Sequence, residues 1–142
     1  MAWIPQNEVL VIIRVIIAAL LGLAIGLQRE KRKIVHREYG AAGLRTHSLV
    51  SLGAALLTAV SVIYFSADPA RLAASIMTGI GFIGAGTILA TQEKIRGLTT
   101  AATIWAAAAL GIASGVGYYA SSIVATILII FVLELHRFEK LD

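Results

Sequence analysis

A few ionisable side chains in an otherwise apolar chain are the candidates for chemistry. Arg29 and Glu30 are adjacent, His47 follows a polar stretch, and Asp68 stands before Pro69. Glu30 and Asp68 are weak candidates for binding a metal cation, because Mg²⁺ holds its waters tightly and single carboxylates bind it poorly. No acid pair, nucleophile with a base, or metal-ligand cluster has a persuasive spacing, and the chain contains no Cys. We therefore predict a protein that is not an enzyme and needs no cofactor.

The composition indicates that lipid surrounds most of the chain. Of the 142 residues, 58% are hydrophobic and 14% are charged, whereas soluble domains are about half apolar and about one quarter charged. A soluble helical domain is the alternative, but so few charged residues could not cover its surface. Because a spanning helix needs about 20 residues, the chain has room for five. The predicted fold is an all-α membrane helix bundle.

The predicted helices cover about residues 9–27, 46–65, 70–91, 98–114 and 118–135. The first apolar segment has no basic leader, so we interpret it as a retained helix and not as a cleaved signal peptide. The chain is expected to be a single transmembrane domain, residues 1–142, without a soluble carboxy-terminal domain.

The distribution of Lys and Arg predicts the orientation. Six follow the first span, two follow the third and two lie in the tail, whereas the opposite connections carry only Arg71. The positive-inside rule then places the amino terminus outside and the carboxyl terminus in the cytoplasm. Trp3, Tyr64, Tyr118 and Tyr119 fall at the predicted outer boundary, as interfacial aromatic residues do. We attribute the net charge of +4 to these topology signals and not to nucleic-acid binding.

Glycines at helical spacing predict helix contacts. Gly22 and Gly26 form a GxxxG pair in the first span, and Gly111 and Gly115 form another in the fourth. Such pairs allow a second helix backbone to approach closely. Arg14 shares the face of the first pair; it either extends to the membrane interface or faces the bundle and bonds a carboxylate or a carbonyl group, with Asp68 or Glu8 as the acidic candidates.

The third span contains GxGxxG within Gly79–Gly86. A dinucleotide site would need a preceding strand, so we reject that interpretation. The glycines weaken the helix, and two compensations are open: close packing against the first and fourth spans, or local unwinding that lines a polar cavity. The second span has a small and polar stripe at His47, Ser51, Ala54, Thr58 and Ser61, which suits helix packing or, as the minority interpretation, a hydrophilic lining.

The start of the fourth span also has two interpretations. Arg96 and Gly97 precede Thr99 and Thr100 at a helix amino terminus, where an anion or a lipid headgroup could bind. The simpler interpretation is helix capping beside an arginine that determines topology.

Five blocks in this order resemble the MgtC/SapB family of bacterial inner-membrane proteins. They are GLAIGLQRE (22–30), GLRTHSL (43–49), DPAR (68–71), GIGFIGAG (79–86) and RGLTTAATIW (96–105). The resemblance marks the following positions as functional candidates without fixing their roles: Arg29, Glu30, Arg45, Thr46, His47, Asp68, Arg71, Gly79, Gly81, Gly84, Gly86, Arg96, Gly97, Thr99, Thr100 and Trp105.

The family resemblance implies a multi-pass protein of the bacterial inner membrane that is linked to growth in low magnesium and to survival of pathogens inside host cells. Two functions stay open. The first is a non-enzymatic modulator of other membrane proteins in adaptation to low magnesium, acid or host-cell stress, with Mg²⁺ as a possible signal. The second is a small oligomeric transporter or channel for Mg²⁺ or another cation. Under either, we expect a homodimer or higher homo-oligomer in the lipid bilayer.

Overall fold

The computed structural model describes residues 6–36, 42–65, 68–91 and 95–135. It contains five α-helices and one short hairpin in this part of the chain. The helices are α1 (Gln6–His36), α2 (Leu44–Tyr64), α3 (Pro69–Ala85), α4 (Leu98–Val116) and α5 (Tyr119–Glu134). The hairpin strands are β1 (Leu89–Ala90) and β2 (Ile95–Arg96), paired antiparallel between α3 and α4.

Capping residues account for several helix ends. Asp68 precedes α3, and its side chain accepts a hydrogen bond of 3.1 Å from the backbone N–H of Arg71, the usual N-cap arrangement. Gly97 and Gly117 flank α4 with φ angles of +89° and +107°. This left-handed conformation favours glycine, so both ends of α4 are determined by the sequence.

The core is a three-helix bundle of α1, α2 and α4, with α3 and α5 at its periphery. Helix α3 packs on α4 and α2, and α5 packs on α1 and α4. Small residues fill the centre: Ala54, Ala55, Ala59, Ala107 and Ala108 are all buried. Close helix packing between small side chains is the arrangement expected in lipid, where no hydrophobic force drives helices together.

Three helices are long and apolar enough to cross a membrane: α1 over Gln6–Arg32, α2 and α4. Helices α3 and α5 are apolar but have 17 and 16 residues, so they are roughly 24–26 Å long. The molecule is therefore a polytopic helix bundle with three long and two shorter helices. Its sidedness, with the amino terminus outside, stays a prediction.

The predicted end of the third helix at residue 91 is wrong. Helix α3 ends at Ala85, and Gly86 and Thr87 form a turn in which the Thr87 hydroxyl donates to the backbone oxygen of Gly84. The hairpin then pairs Leu89 with Arg96. Glycines weaken a helix by up to about 1 kcal/mol each. Four of the eight residues in 79–86 are glycine, which explains why the helix ends within this segment.

Helix α1 differs in the other direction. It runs over Gln6–His36 and not over residues 9–27. The segment 28–36 is rich in Arg, Lys, Gln and Glu, which are good helix formers, and it contains neither Gly nor Pro. The other three helices start or end within two residues of the predicted bounds.

Candidate functional site

Four polar side chains meet inside the bundle where α1 ends and α2 and α4 begin. Arg29 donates a hydrogen bond of 3.0 Å to the hydroxyl of Thr100, and His47 Nε2 lies 2.9 Å from the hydroxyl of Thr103. The relative exposures of the four side chains range from 0 to 4%. We call Arg29, His47, Thr100 and Thr103 the polar cluster, and the end of the molecule that contains it the basic end.

The partners of His47 define its tautomer. Nδ1 lies 2.8 Å from the backbone oxygen of Gly43, which can only accept, so Nδ1 carries a hydrogen. In a neutral ring, Nε2 then accepts from the Thr103 hydroxyl. That hydroxyl also lies 2.9 Å from the backbone oxygen of Thr100, and its single hydrogen can serve only one of the two. His47 thus links the start of α2 to α4.

Helix α1 also holds the last turn of α5 at the basic end. Gln28 Nε2 donates to Glu134 Oε1 at 3.1 Å, and Arg32 donates to the backbone oxygen of Leu133 at 2.8 Å. Lys and Arg near a helix carboxyl end also interact favourably with its dipole. We call these two contacts the α1–α5 clasp. Because Arg14, earlier in α1, lies beside Gly117 just before α5, the two helices run in the same direction.

Glu30 lies beside the polar cluster. Its carboxylate contacts Gly43, and a Cβ added to Gly43 would overlap Oε2. Glycine at this position therefore makes room for the carboxylate at the start of α2. Among the described residues, no group of three or more His, Cys, Asp or Glu side chains is placed to hold a metal ion.

Arg14 lies at the opposite end of the bundle and faces inward. Its guanidinium donates to the backbone oxygen of Gly115 at 2.8 Å and lies beside Gly117. Of the two placements considered from the sequence, the structure has the bundle-facing one with a carbonyl partner, and not Asp68 or Glu8. The carboxyl end of α4 supplies that carbonyl group because its last carbonyls have no helical partner.

The remaining candidates are spread over the molecule. Asp68 and Arg71 lie at the start of α3, where the Asp68 carboxylate caps the helix. Arg45, Thr99, Arg96 and Trp105 are exposed, and Thr46 is half-buried. The structure thus brings Arg29, Glu30, His47 and Thr100 together and leaves the others outside the polar cluster.

The four glycines proposed for packing all lie at helix contacts. A Cβ added to Gly22 would lie 2.5 Å from the backbone oxygen of His47, and one on Gly26 would lie 2.6 Å from Cα of Leu44. Gly111 contacts Ser51, and Gly115 contacts Ala55 and Thr58, in the same close manner. The α1–α2 and α2–α4 crossings therefore depend on the absence of these side chains.

The glycines of α3 behave differently. Gly84 packs on Ala101 of α4, with a Cβ distance of 3.6 Å, whereas a Cβ on Gly79 or Gly81 would meet nothing within 4 Å. Gly86 lies in the turn after the helix, where an added Cβ would meet only the backbone oxygens of Phe82 and Ile83 within 4 Å. Packing against α4 thus accounts for Gly84 but not for the other glycines of the segment. The expected packing was against the first and fourth helices, whereas α3 packs on α4 and α2.

Several buried hydroxyl groups lack a hydrogen-bond partner among the described residues. They belong to Ser48, Ser51, Thr58 and Ser114, on α2 and α4. Ser51 and Ser114 are fully buried. Ser51 and Thr58 lie at the α2–α4 contact, beside Gly111 and Gly115.

Sequence reasoning missed the roles of Gln28, Arg32, Thr103 and Gly43. A signal for the first two was present, because Ile25, Gln28 and Arg32 follow the spacing of one helix face and Ile25 is fully buried. The role of Gly43 depends on a contact between separate helices, which spacing within one segment does not indicate.

Comparison with known proteins gives the family. The MgtC family model matches residues 15–140. The chain is 44% identical over 132 residues to the Escherichia coli (strain K12) protein named "Putative magnesium transporter YhiD", with 87% of this chain and 59% of that protein covered. It is 41% identical over 119 residues to "Protein MgtC" of Salmonella typhimurium, covering 84% of this chain and 49% of the relative.

A third relative, "Protein MgtC" of Brucella abortus, is 46% identical over 121 residues, covering 84% of this chain and 48% of the relative. The chain therefore spans about half to three fifths of the length of these relatives. No solved structure matches it significantly. The family model covers the helices that form the polar cluster, and the chain belongs to the MgtC family.

Proposed function

We propose that this protein is a non-enzymatic modulator in the bacterial inner membrane that acts by contact with other membrane proteins. The supporting observation is the use made of the polar groups inside the bundle. Arg14, Arg29 and His47 each form a hydrogen bond to another helix or to the turn before their own helix. Such bonds hold helices in place, which is a structural role. The polar interior then belongs to the scaffold, and the function belongs to the surface.

The surface of α3 that faces away from the bundle suits such contacts. Ser75, Thr78, Gly79 and Phe82 are all exposed and follow the spacing of one helix face. We call them the α3 outer face. Gly79 leaves open space, and the hydroxyls of Ser75 and Thr78 donate to the backbone of their own helix. A second membrane helix could therefore approach without leaving hydroxyl groups unsatisfied.

The names of the relatives connect this function to magnesium. One relative is named "Putative magnesium transporter YhiD", and others are named "Protein MgtC". For this chain we propose a role in adaptation to low magnesium, acid or host-cell stress, with Mg²⁺ as a signal. A homodimer through the α3 outer face is the simplest contact, because one such face can meet its own copy.

Site-specific photocrosslinking tests the contact surface in cell membranes. A photoreactive phenylalanine replaces Phe82, and the same residue replaces Phe131 on α5 as the matched control. Both positions are strongly exposed, 84% for Phe82 and 60% for Phe131. We expect defined protein adducts from position 82 and only lipid adducts from position 131. Equal adduct patterns at both positions would contradict the proposal.

A cation transporter is the second candidate, and the unpartnered hydroxyls of Ser51, Thr58 and Ser114 favour it. They could contact water or an ion between α2 and α4. The purified protein in liposomes should show no Mg²⁺, K⁺ or proton flux if it is a modulator. A flux that Glu30→Ala or Asp68→Ala abolishes would establish transport instead.

A further inference from the structure

An apolar groove lies between the second half of α3 and the first half of α4. Its walls include Gly81, Gly84, Ile88, Ala101, Ala102 and Trp105, and its volume is about 320 Å³. This is at the lower end of the range for small-molecule pockets, roughly 300–1,000 Å³. The groove is open along one side, where Ala102 and Trp105 are exposed. It therefore faces the surroundings of the bundle, which are lipid.

The groove ends at the positively charged start of α4. Ile88 lines the groove and also touches Gly97, where an added Cβ would lie 3.3 Å from Cα of Ile88. Gly97 is the N-cap residue of α4 and supplies no side-chain hydrogen bond to the first turn. The exposed Arg96 directly precedes it. Backbone N–H groups and the helix dipole at such an end favour an anion.

A second cation reaches the same turn from inside the bundle. Arg29 is 3% exposed and donates to the hydroxyl of Thr100, three residues after the N-cap. The start of α4 is thus flanked by Arg96 on the surface and Arg29 below it. Among the residues that the structure describes, no acidic side chain lines the groove. Positive charge at one end and an apolar channel beyond it match the two parts of an anionic phospholipid.

We propose that the groove binds one acyl chain of an anionic phospholipid, with the phosphate at the amino end of α4 beside Arg96. Trp105 lies eight residues after Gly97, or roughly 12 Å along the helix axis. The indole then contacts the upper part of the acyl chain. This site does not depend on the proposed modulator function, since neither the α3 outer face nor a partner contributes to it.

Fluorescence quenching by brominated lipids tests the site directly. The chain has two tryptophans, so Trp3→Phe leaves Trp105 as the single reporter. The purified protein is reconstituted in vesicles of zwitterionic phosphatidylcholine that contain a fixed fraction of acyl-brominated phosphatidylglycerol or acyl-brominated phosphatidylcholine. One basic residue near a membrane surface favours an anionic lipid by about 1 kcal/mol, which is about fivefold. We expect a preference of this size for the anionic quencher at Trp105.

Two variants separate the parts of the site, each in the Trp3→Phe background. Arg96→Gln should abolish most of the fivefold preference while retaining quenching. Gly81→Leu places a side chain in the groove. Its matched control is Gly79→Leu, because both glycines lie in α3 and an added Cβ on either would meet nothing within 4 Å. Only Gly81 lines the groove. Gly81→Leu should lower the preference for the anionic lipid, and Gly79→Leu should not.

Each other outcome overturns the proposal. Equal quenching by the two brominated lipids would mean that Trp105 contacts only bulk lipid. Equal effects of Gly81→Leu and Gly79→Leu would mean that the groove is not the acyl site. A Trp105 that neither lipid quenches would mean that a second copy of the chain covers the groove.

Discussion

Gly22→Ala is the substitution for which the structure predicts the clearest loss of stability. The added methyl group would lie 2.5 Å from the backbone oxygen of His47 and 2.8 Å from Cβ of Ser51. Neither atom can move alone, because His47 O belongs to the helical backbone and Ser51 is fully buried. Helix α2 must therefore shift away from α1.

The expected magnitude follows from two opposing effects. Overpacking a tight contact costs roughly 1–3 kcal/mol, whereas replacing glycine by alanine inside a helix stabilises it by up to about 1 kcal/mol. With the full gain from the helix effect, the net loss relative to the parent protein is about 0–2 kcal/mol. Gly53→Ala is the matched control, because Gly53 lies in α2 and its added Cβ would meet nothing within 4 Å. This variant should be as stable as the parent or more stable.

Unfolding of the purified protein in mixed micelles, followed by far-UV circular dichroism during titration with SDS, measures both variants. Both variants gain the same helix propensity. The difference between their SDS midpoints therefore reports only the effect of the added methyl group on the α1–α2 contact. If Gly22→Ala unfolds at the same SDS fraction as Gly53→Ala, then α1 and α2 do not cross at Gly22 as described.

Three further predictions each compare a substitution at one position with a substitution at a contrasting position. Thr103→Val leaves the buried Nε2 of His47 without its hydrogen bond and should destabilise the protein by about 1–3 kcal/mol, whereas Thr99→Val, at an exposed position, should change stability by less than about 0.5 kcal/mol. Arg14→Met removes the donor to the backbone oxygen of Gly115 and should lower the free energy of unfolding by about 1.5–3 kcal/mol. Arg71→Met is the exposed control. Equal SDS midpoints for these two variants would argue against an inward-facing Arg14. Because the chain has no Cys, Asp68→Cys should react with a membrane-impermeant maleimide in intact spheroplasts and Arg45→Cys only after permeabilisation; the reverse pattern would invert the predicted orientation.

The helices could largely be predicted from the sequence because their signals are local. Apolar runs, the cap at Asp68 and the glycines at 97 and 117 lie within or beside the segments that they delimit. The end of α3 could not be predicted, because glycines such as Gly79 and Gly84 are equally compatible with a packed helix and with a turn. Tertiary contacts decide between the two: Gly84 packs on Ala101 of α4, whereas an added Cβ on Gly79 would meet nothing within 4 Å.

The polar cluster was only partly predictable. The resemblance to the family marked Arg29, His47 and Thr100, but nothing in their spacing showed that they meet, since they belong to different helices. The inward direction of Arg14 was equally open, because its acceptor is a backbone oxygen. Backbone groups have no sequence signature, so contacts of this kind appear only when the helices are assembled.

The α1–α5 clasp has a consequence for biogenesis. Helix α1, which is synthesised before the other four helices, carries Gln28 and Arg32, and their acceptors on Glu134 and Leu133 are synthesised more than 100 residues later. Until then, these donors must find water or lipid headgroups at the membrane surface. Of the five helices, we therefore expect α5 to dock last, onto a core already formed by α1, α2 and α4.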